Sequence, residues 1–353
     1  MAQEVIETLE IDAQDREGVV LDLALPVLAA WEKSVRVLGF RSSMGVSGLS
    51  PREVARLRTL SLATGSRSTG IFEGANDFRL GFRAEGGGPI VAPGFGVEGD
   101  LGGLPLAPSV SDLTIAGFGL AAGRSLTHEL QGLTHVRAAS AQGYGGRVLA
   151  SLGREVGVDL KVSTGDLGFE PQGLGRVSLH ASRKEHLSGR GVDWKKPGEL
   201  RAIHVEMGGV RPRPEQFDLI EAELREALWE ARRIEPVIER RVTSGVDIGA
   251  FLQVDVEVER GGGTFIEVVG RTTAPLPLAR RIIKKALGYL DSGATCDEVT
   301  GITALAAAIA AKAEFEIALV PSDRLSTALS LLRDVGAYIE EEEAPGLVLL
   351  KTR

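Results

Sequence analysis

The chain has few of the residues on which several classes of protein depend. Its 353 residues include one cysteine, Cys296, five histidines and only 5% aromatic side chains. One cysteine cannot by itself form an intrachain disulfide or a zinc cluster, so the composition favours a reducing, cytoplasmic compartment. We predict that Cys296 is a buried or partly buried thiol near the start of a helix.

Long apolar runs and an excess of positive charge are also missing. The most apolar helical stretch, residues 302–311, is far too short to span a bilayer, and residues 1–4 do not begin a basic segment followed by an apolar one. We therefore expect no membrane segment and no export signal. The formal net charge of -8 argues against indiscriminate binding of nucleic acid, and no DNA-specific signal is present. A local basic groove could still contact RNA.

Motifs of common enzyme classes are missing as well. The chain has no Gly-x-x-x-x-Gly-Lys-Ser/Thr phosphate loop, no Gly-x-Ser-x-Gly nucleophile elbow and no dinucleotide fingerprint. His128 and His135 are seven residues apart, and His180, His186 and His204 have no carboxylate or cysteine at the spacing of metal ligands. The sequence thus supports no metal site and no cofactor.

What the chain does contain is an internal repeat. SLGREVGV at residues 151–158 recurs as SLLRDVGA at residues 330–337, in both copies after apolar residues at helical spacing and before a strand-like segment. Each copy puts glycine where a helix needs a left-handed residue before the chain turns into a strand. Alternation and turn residues then predict a β-hairpin at 159–180 and another at 338–351. The repeated unit is a helix, a glycine and a hairpin.

Residues 197–271, between the two copies, have a different character. A predicted strand leads through a proline-rich turn to a helix at 215–232, whose apolar side chains recur on one face. Two alternating segments around the glycine triplet at 261–263 then predict a hairpin. We expect a compact α+β insert with its own small core, which separates the main domain into residues 1–196 and 272–353.

Four segments resemble motifs of the RNA 3'-terminal phosphate cyclases, and they occur in that family's order. Residues 35–62 look like its strand, arginine-bearing turn and helix, and residues 130–149 are similar to its Gly-Gly-Thr segment. GFEPQGLG at 168–175 resembles its glycine-rich turn, and FEIALVPSDRL at 315–325 resembles the strand and loop that carry its catalytic histidine. The resemblance implies an α+β fold of three repeated units, each with two helices and a four-stranded sheet, and a smaller domain inserted between the second and third.

The resemblance also implies a reaction, from which this chain departs. The cyclases use ATP to convert an RNA 3'-phosphate to a 2',3'-cyclic phosphate through AMP held on a histidine nitrogen, and Arg324 stands at that histidine's position. A guanidinium stays protonated and cannot act as the nucleophile, but it can hold a phosphate through two parallel hydrogen bonds. Other family positions are altered at residues 17–21, Ala24, Met44, residues 52–53 and residues 298–303. We predict that adenylation is lost, so that ATP and magnesium matter only if cyclase activity remains.

The resemblance brings several arginines onto converging segments, where together they could form an anion cradle. Each arginine alone is more typical of a solvated surface. Thr134 and His135, in the segment similar to Gly-Gly-Thr, are further candidates for contact with phosphate or RNA, and we assign no catalytic residue. The candidate arginines are Arg41, Arg52, Arg137 and Arg324.

Three functions remain open, of which the first is our prediction. The chain could bind an RNA 3' end or structured RNA during RNA processing, as a cyclase-like protein without the cyclase reaction. It could be an RNA 3'-phosphate cyclase or another phosphate-handling enzyme with altered chemistry, in which arginines stabilise charge. It could also be a protein-interaction scaffold, for which the overall acidity and the four glutamates at 340–343 are the evidence.

Overall fold

A computed structural model describes the chain in eight stretches. Arg137 and Met44 lie outside them, as does the side chain of Glu17. The α+β class and the repeated helix-and-sheet units predicted from the resemblance are confirmed by the elements that these stretches form. The described residues are 8–41, 47–81, 106–121, 125–136, 139–142, 145–183, 191–269 and 274–353.

The first unit alternates strands and helices along one sheet. It contains β1 (Thr8–Asp12), α1 (Glu17–Val19), a π-helical turn (Val20–Ala24), α2 (Leu25–Ala30), β2 (Ser34–Leu38), α3 (Pro51–Thr64), β3 (Arg67–Thr69) and β4 (Phe78–Gly81). The strand order is β1-β2-β4-β3, in which only the first pair is parallel. Ser50 and Glu53 form a capping box that starts α3, and Gly65 ends it in the left-handed conformation.

The second unit follows the same plan over the part that the structure describes. Its strands are ordered β5-β9-β8, the same relative order as β2-β4-β3 in the first unit. The predicted helix-glycine-hairpin pattern is present, because Gly157 ends α5 with a φ of 86°. The elements are α4 (Leu106–Leu120), β5 (Leu126–Gly132), β6 (His135–Val136), β7 (Ala139–Ser140), α5 (Gly146–Val156), β8 (Val158–Thr164) and β9 (Gly175–Arg183).

The insert interrupts the third unit after its first strand, β10 (Val192–Trp194). The inserted elements are β11 (Leu200–Val210), α6 (Pro214–Arg232), β12 (Val237–Thr243), β13 (Gly249–Val258), β14 (Gly262–Val269) and α7 (Pro275–Ser292). The third unit then resumes with α8 (Glu298–Ala310), β15 (Phe315–Leu319), α9 (Asp323–Asp334), β16 (Ile339–Ala344) and β17 (Leu347–Thr352). β10 pairs in parallel with β15, and the order β10-β15-β17-β16 repeats that of the first unit.

The inserted sheet has a hydrophobic core of its own. Its strands are ordered β12-β11-β13-β14, and α6 and α7 pack on one face. Leu278, Ile282 and Ala286 of α7 are buried in this core together with Ile220 and Leu224 of α6. We therefore propose that the insert extends through α7 rather than ending at residue 271. The division into a main domain and an insert itself stays a proposal.

One helix from each unit meets at the centre of the main core. α2, α4 and α8 contact one another, and every residue of α8 from Thr300 to Ala310 is buried. Gly119 of α4 allows this approach, because a Cβ there would lie 2.5 Å from both the Cβ of Ala30 and the carbonyl oxygen of Ala310. The sheets thus surround a tightly packed three-helix centre.

Cys296 lies immediately before α8 and is buried, as the sequence predicts. Burial raises the pKa of its thiol, so the side chain behaves as a small apolar group. None of the described helices has the length and apolar character that a membrane crossing would require.

Candidate functional site

Arg324 lies in the first turn of α9, at the surface. Ser322 caps this helix by accepting a hydrogen bond from the Leu325 backbone N–H at 3.1 Å, and its hydroxyl also contacts the carboxylate of Glu298. The Arg324 side chain is 47% exposed, and its Nη2 is 3.9 Å from Oδ2 of Asp22. The guanidinium is therefore half open to solvent beside a carboxylate.

Asp22 connects Arg324 to a buried ion pair that the sequence analysis missed. Its Oδ1 is 2.7 Å from Nη2 of Arg56 on α3, and the Arg56 guanidinium also bonds through two nitrogens to both carboxylate oxygens of Asp112 on α4. The side chains of Arg56 and Asp112 are 13% and 2% exposed. One signal could have identified the pair, since Asp112 is the single charged residue in the apolar helix α4.

The two carboxylates keep Arg56 charged in this dry environment. Burial alone would lower the pKa of Arg56, but the charges of Asp112 and Asp22 outweigh burial and raise it. Burial raises the pKa of Asp112, whereas Arg56 draws it down. Because Arg56 also holds Asp22, it is a positioning residue for the carboxylate that faces Arg324.

A small cavity lies between the π-helical turn, α4, α8 and α9. Its volume is about 110 Å³, well below the roughly 300–1,000 Å³ of typical small-molecule pockets. Its polar groups are Arg324, Asp22 and the hydroxyls of Ser111 and Thr303. The remaining lining residues are apolar, namely Val19, Leu23, Pro108, Val299, Ile302 and Ala328.

Arg52 lies one turn before Arg56 on α3 and faces the glycine-rich turn of the second unit. Its Nη2 is 3.9 Å from Oε1 of Glu170, and both side chains are more than half exposed. Glu53, which stands at an altered family position, accepts the Ser50 backbone N–H at 2.7 Å in the capping box. Of these two neighbouring residues, Glu53 therefore stabilises the start of α3, and Arg52 has an exposed guanidinium.

Arg41 is exposed in the segment between β2 and α3, where it pairs with Ser47 and Gly48 in isolated β-bridges. Arg52 and Arg324 are connected through α3, which carries Arg52 and the Arg56 that contacts Asp22, the partner of Arg324. Arg137 cannot be placed, because it is outside the described residues.

Thr134 and His135 lie in the interior, not on a surface that RNA could reach. The Thr134 hydroxyl accepts the Gly168 backbone N–H at 2.9 Å and lies 2.8 Å from Nδ1 of His135. The His135 ring stacks on Phe251 with 3.8 Å between centroids. Burial, with a smaller contribution from the charge of Arg241, lowers the pKa of His135 to about 3. These two side chains tie the glycine-rich turn to the insert.

Two comparisons with known proteins agree with this architecture. A family profile described as RNA 3'-terminal phosphate cyclase matches residues 18–337. The chain belongs to the RNA 3'-terminal phosphate cyclase family. An RNA 3'-terminal phosphate cyclase of Metallosphaera sedula is 27% identical over 201 residues, and this match covers 55% of each chain. The chain thus aligns with about half the length of that relative.

Family membership gives the position of Arg324 its meaning. The match to the family profile includes α9, whose first turn carries Arg324 next to Asp22; that Arg324 stands at the position of the family's histidine stays a prediction. No group of histidine, cysteine, aspartate and glutamate suited to hold a metal ion occurs among the residues that the structure describes. What the site offers chemically is the half-exposed guanidinium of Arg324 at a small, mostly apolar cavity, and a second exposed guanidinium, that of Arg52, on α3.

Proposed function

We propose that this member of the cyclase family binds the phosphorylated 3' end of RNA, as part of RNA processing, without forming an adenylated intermediate. The observation that carries the proposal is Arg324 in the first turn of α9, half exposed beside a cavity. A guanidinium does not lose its proton at neutral pH, so it supplies no nucleophilic lone pair, but its geometry suits a phosphate.

The size of the cavity and the hydrogen-bond donors that line it support binding of a phosphate group rather than activation of a nucleotide. A volume of about 110 Å³ is small for an adenosine group, whereas Arg324 and the hydroxyl of Ser111 can donate hydrogen bonds to phosphate oxygens. Arg52, on the same side of α3 as Arg56, would contact a neighbouring phosphate. The single cysteine, which is buried, favours a reducing compartment, and we propose that the protein acts in the cytoplasm.

The proposal is tested by measuring covalent AMP, cyclic phosphate and RNA binding with one preparation. Pure protein is incubated with labelled ATP and magnesium, with and without a 3'-phosphorylated RNA, and is then denatured. We expect no labelled protein and no cyclic phosphate. In a parallel anisotropy assay we expect the 3'-phosphorylated RNA to bind more tightly than the 3'-hydroxyl RNA.

A matched pair of variants locates the contact. Arg324→Ala should remove the preference for the 3'-phosphate, whereas Arg58→Ala should keep it, because Arg58 is exposed on another face of α3. Cyclic phosphate formed by the wild-type protein would show that the chemistry survives and that the reasoning from the lost histidine fails. Equal binding of both RNAs by the wild type would refute recognition of the phosphorylated end.

A further inference from the structure

One aromatic side chain stands out in the first unit because it is exposed. Nine of the eleven phenylalanines lie in the described residues, and Phe72 is the exposed one among them, at 61%. It lies in the loop between β3 and β4. The preceding Ile71 is partly buried against the main core and anchors the loop, so the exposure of Phe72 does not result from a loose segment.

The loop that carries Phe72 is hydrogen-bonded to the turn after β2. The Gly74 N–H donates to the Leu49 carbonyl at 2.8 Å, and the Leu49 N–H donates to the Ala75 carbonyl at 3.0 Å. Gly48 packs so closely that a Cβ on it would lie 2.2 Å from the carbonyl carbon of Gly74. The backbone of Phe72 is held by a further hydrogen bond, because its carbonyl accepts the Ala75 N–H at 3.1 Å.

This packing connects the loop of Phe72 to the segment that carries two exposed arginines. Arg41 forms β-bridges with Ser47 and Gly48, the residues on which the Phe72 loop rests. Arg52 lies three residues after Leu49, in the first turn of α3, and is 53% exposed. An exposed aromatic ring and exposed guanidinium groups on connected segments are the chemistry that binds single-stranded nucleic acid, because bases stack on the ring and phosphates pair with arginine.

We propose that Phe72 is a stacking site for an unpaired nucleobase near the 3' end of a single-stranded RNA. The inference rests on the proposed function, which it narrows from RNA ends in general to single-stranded ones. The phosphate backbone would follow Arg41 and Arg52 toward Arg324, and the base would lie on the Phe72 ring. A fully paired end would not offer its base face to the ring.

The test separates the base contact from the phosphate contact. Anisotropy is measured with four single-stranded RNA decamers. Two of them end in a 3'-phosphate and two in a 3'-hydroxyl, and within each pair one RNA has normal bases and the other has abasic sites at the last three positions. Phe72→Ala should weaken binding of the RNA with bases by about tenfold and leave binding of the abasic RNA unchanged. Phe72→Trp should retain the wild-type affinity, since it keeps a stacking face.

Two further measurements make the result decisive. Trp229→Ala removes an aromatic side chain, 49% exposed, on α6 of the insert, and it should leave every affinity unchanged. An unchanged melting temperature of Phe72→Ala excludes an effect on folding. Equal loss of affinity for RNA with bases and abasic RNA, or no loss for either, would overturn the stacking site. If the wild type binds the 3'-phosphate and 3'-hydroxyl RNAs equally, the proposed function is overturned instead. The comparison of RNA with bases and abasic RNA would still show whether Phe72 stacks on a base.

Discussion

Replacing Arg56 with leucine should destabilise the protein more than any surface substitution at the site. The Arg56 side chain is 13% exposed, and its main partner, Asp112, is 2% exposed. Removing one member of such a pair leaves a buried carboxylate without its counter-ion, which costs about 3–5 kcal/mol. This is a large part of the roughly 5–15 kcal/mol by which folded domains are stable.

The loss of stability caused by Arg56→Leu should increase with pH. Arg56 draws down the pKa of Asp112, which burial raises, so in Arg56→Leu that pKa rises further above its unfolded value. A carboxyl group whose folded pKa is raised contributes stability below its unfolded pKa, and this stability is lost as the pH rises toward the folded pKa. The pKa of Asp112 is raised to about 7 in the wild type, so the free energy of unfolding of the variant should fall relative to wild type above about pH 7, by up to about 1.4 kcal/mol per pH unit.

Urea unfolding of the wild type and of Arg56→Leu at pH 5 and at pH 8 measures both effects. Arg58→Leu, on the exposed face of the same helix, is the control and should change stability by no more than about 0.5 kcal/mol. Adding Asp112→Leu to Arg56→Leu should recover most of the loss, because no buried charge remains unpaired and the partly exposed Asp22 keeps Arg324 as a neighbour. A loss below about 1 kcal/mol at both pH values, or no recovery in the double variant, would refute the assignment of a buried ion pair.

Three other substitutions test separate parts of the structure. Asp22→Asn should tighten binding of 3'-phosphorylated RNA by up to about fivefold, because it removes the half-exposed carboxylate that competes with the phosphate for Arg324. Weaker binding in the anisotropy assay would contradict this. His135→Phe should reduce the acid sensitivity of folding. Burial lowers the pKa of His135 from 6.5 to about 3, so the wild type loses about 1.4 kcal/mol of stability per pH unit as the pH falls below 6.5. In urea titrations of both proteins, the free energy of unfolding should fall less steeply with decreasing pH in the variant. Gly119→Ala should lower the thermal midpoint and the stability, by about 1–3 kcal/mol, because the added Cβ would overlap Ala30 and Ala310. This loss should exceed the gain from the higher helix propensity of alanine. An unchanged or raised midpoint would show that the three helices can separate at little cost.

The sequence by itself determined the local elements. The repeated helix-glycine-hairpin pattern was readable because Gly157 and Gly336 adopt a positive φ that a helix end requires before a strand, and Gly65 ends α3 in the same way. The apolar face of α6 was predicted from helical spacing, and Phe217, Ile220, Leu224 and Leu228 are buried as that spacing requires. That Arg324 stands where the cyclases have their catalytic histidine was inferred from the order of motifs and stays a prediction.

Only the tertiary structure decided which of these residues meet. Arg56, Asp22 and Asp112 come from three elements, and no periodicity in any one element predicts that their side chains form one cluster. The interior position of His135 depends on stacking with Phe251, which is more than a hundred residues away in the chain. The packing of α7 on the inserted sheet depends in the same way on a partner surface. Local propensity fixes helices, strands and turns, whereas burial and ion pairing arise from the close packing of elements that are distant in sequence.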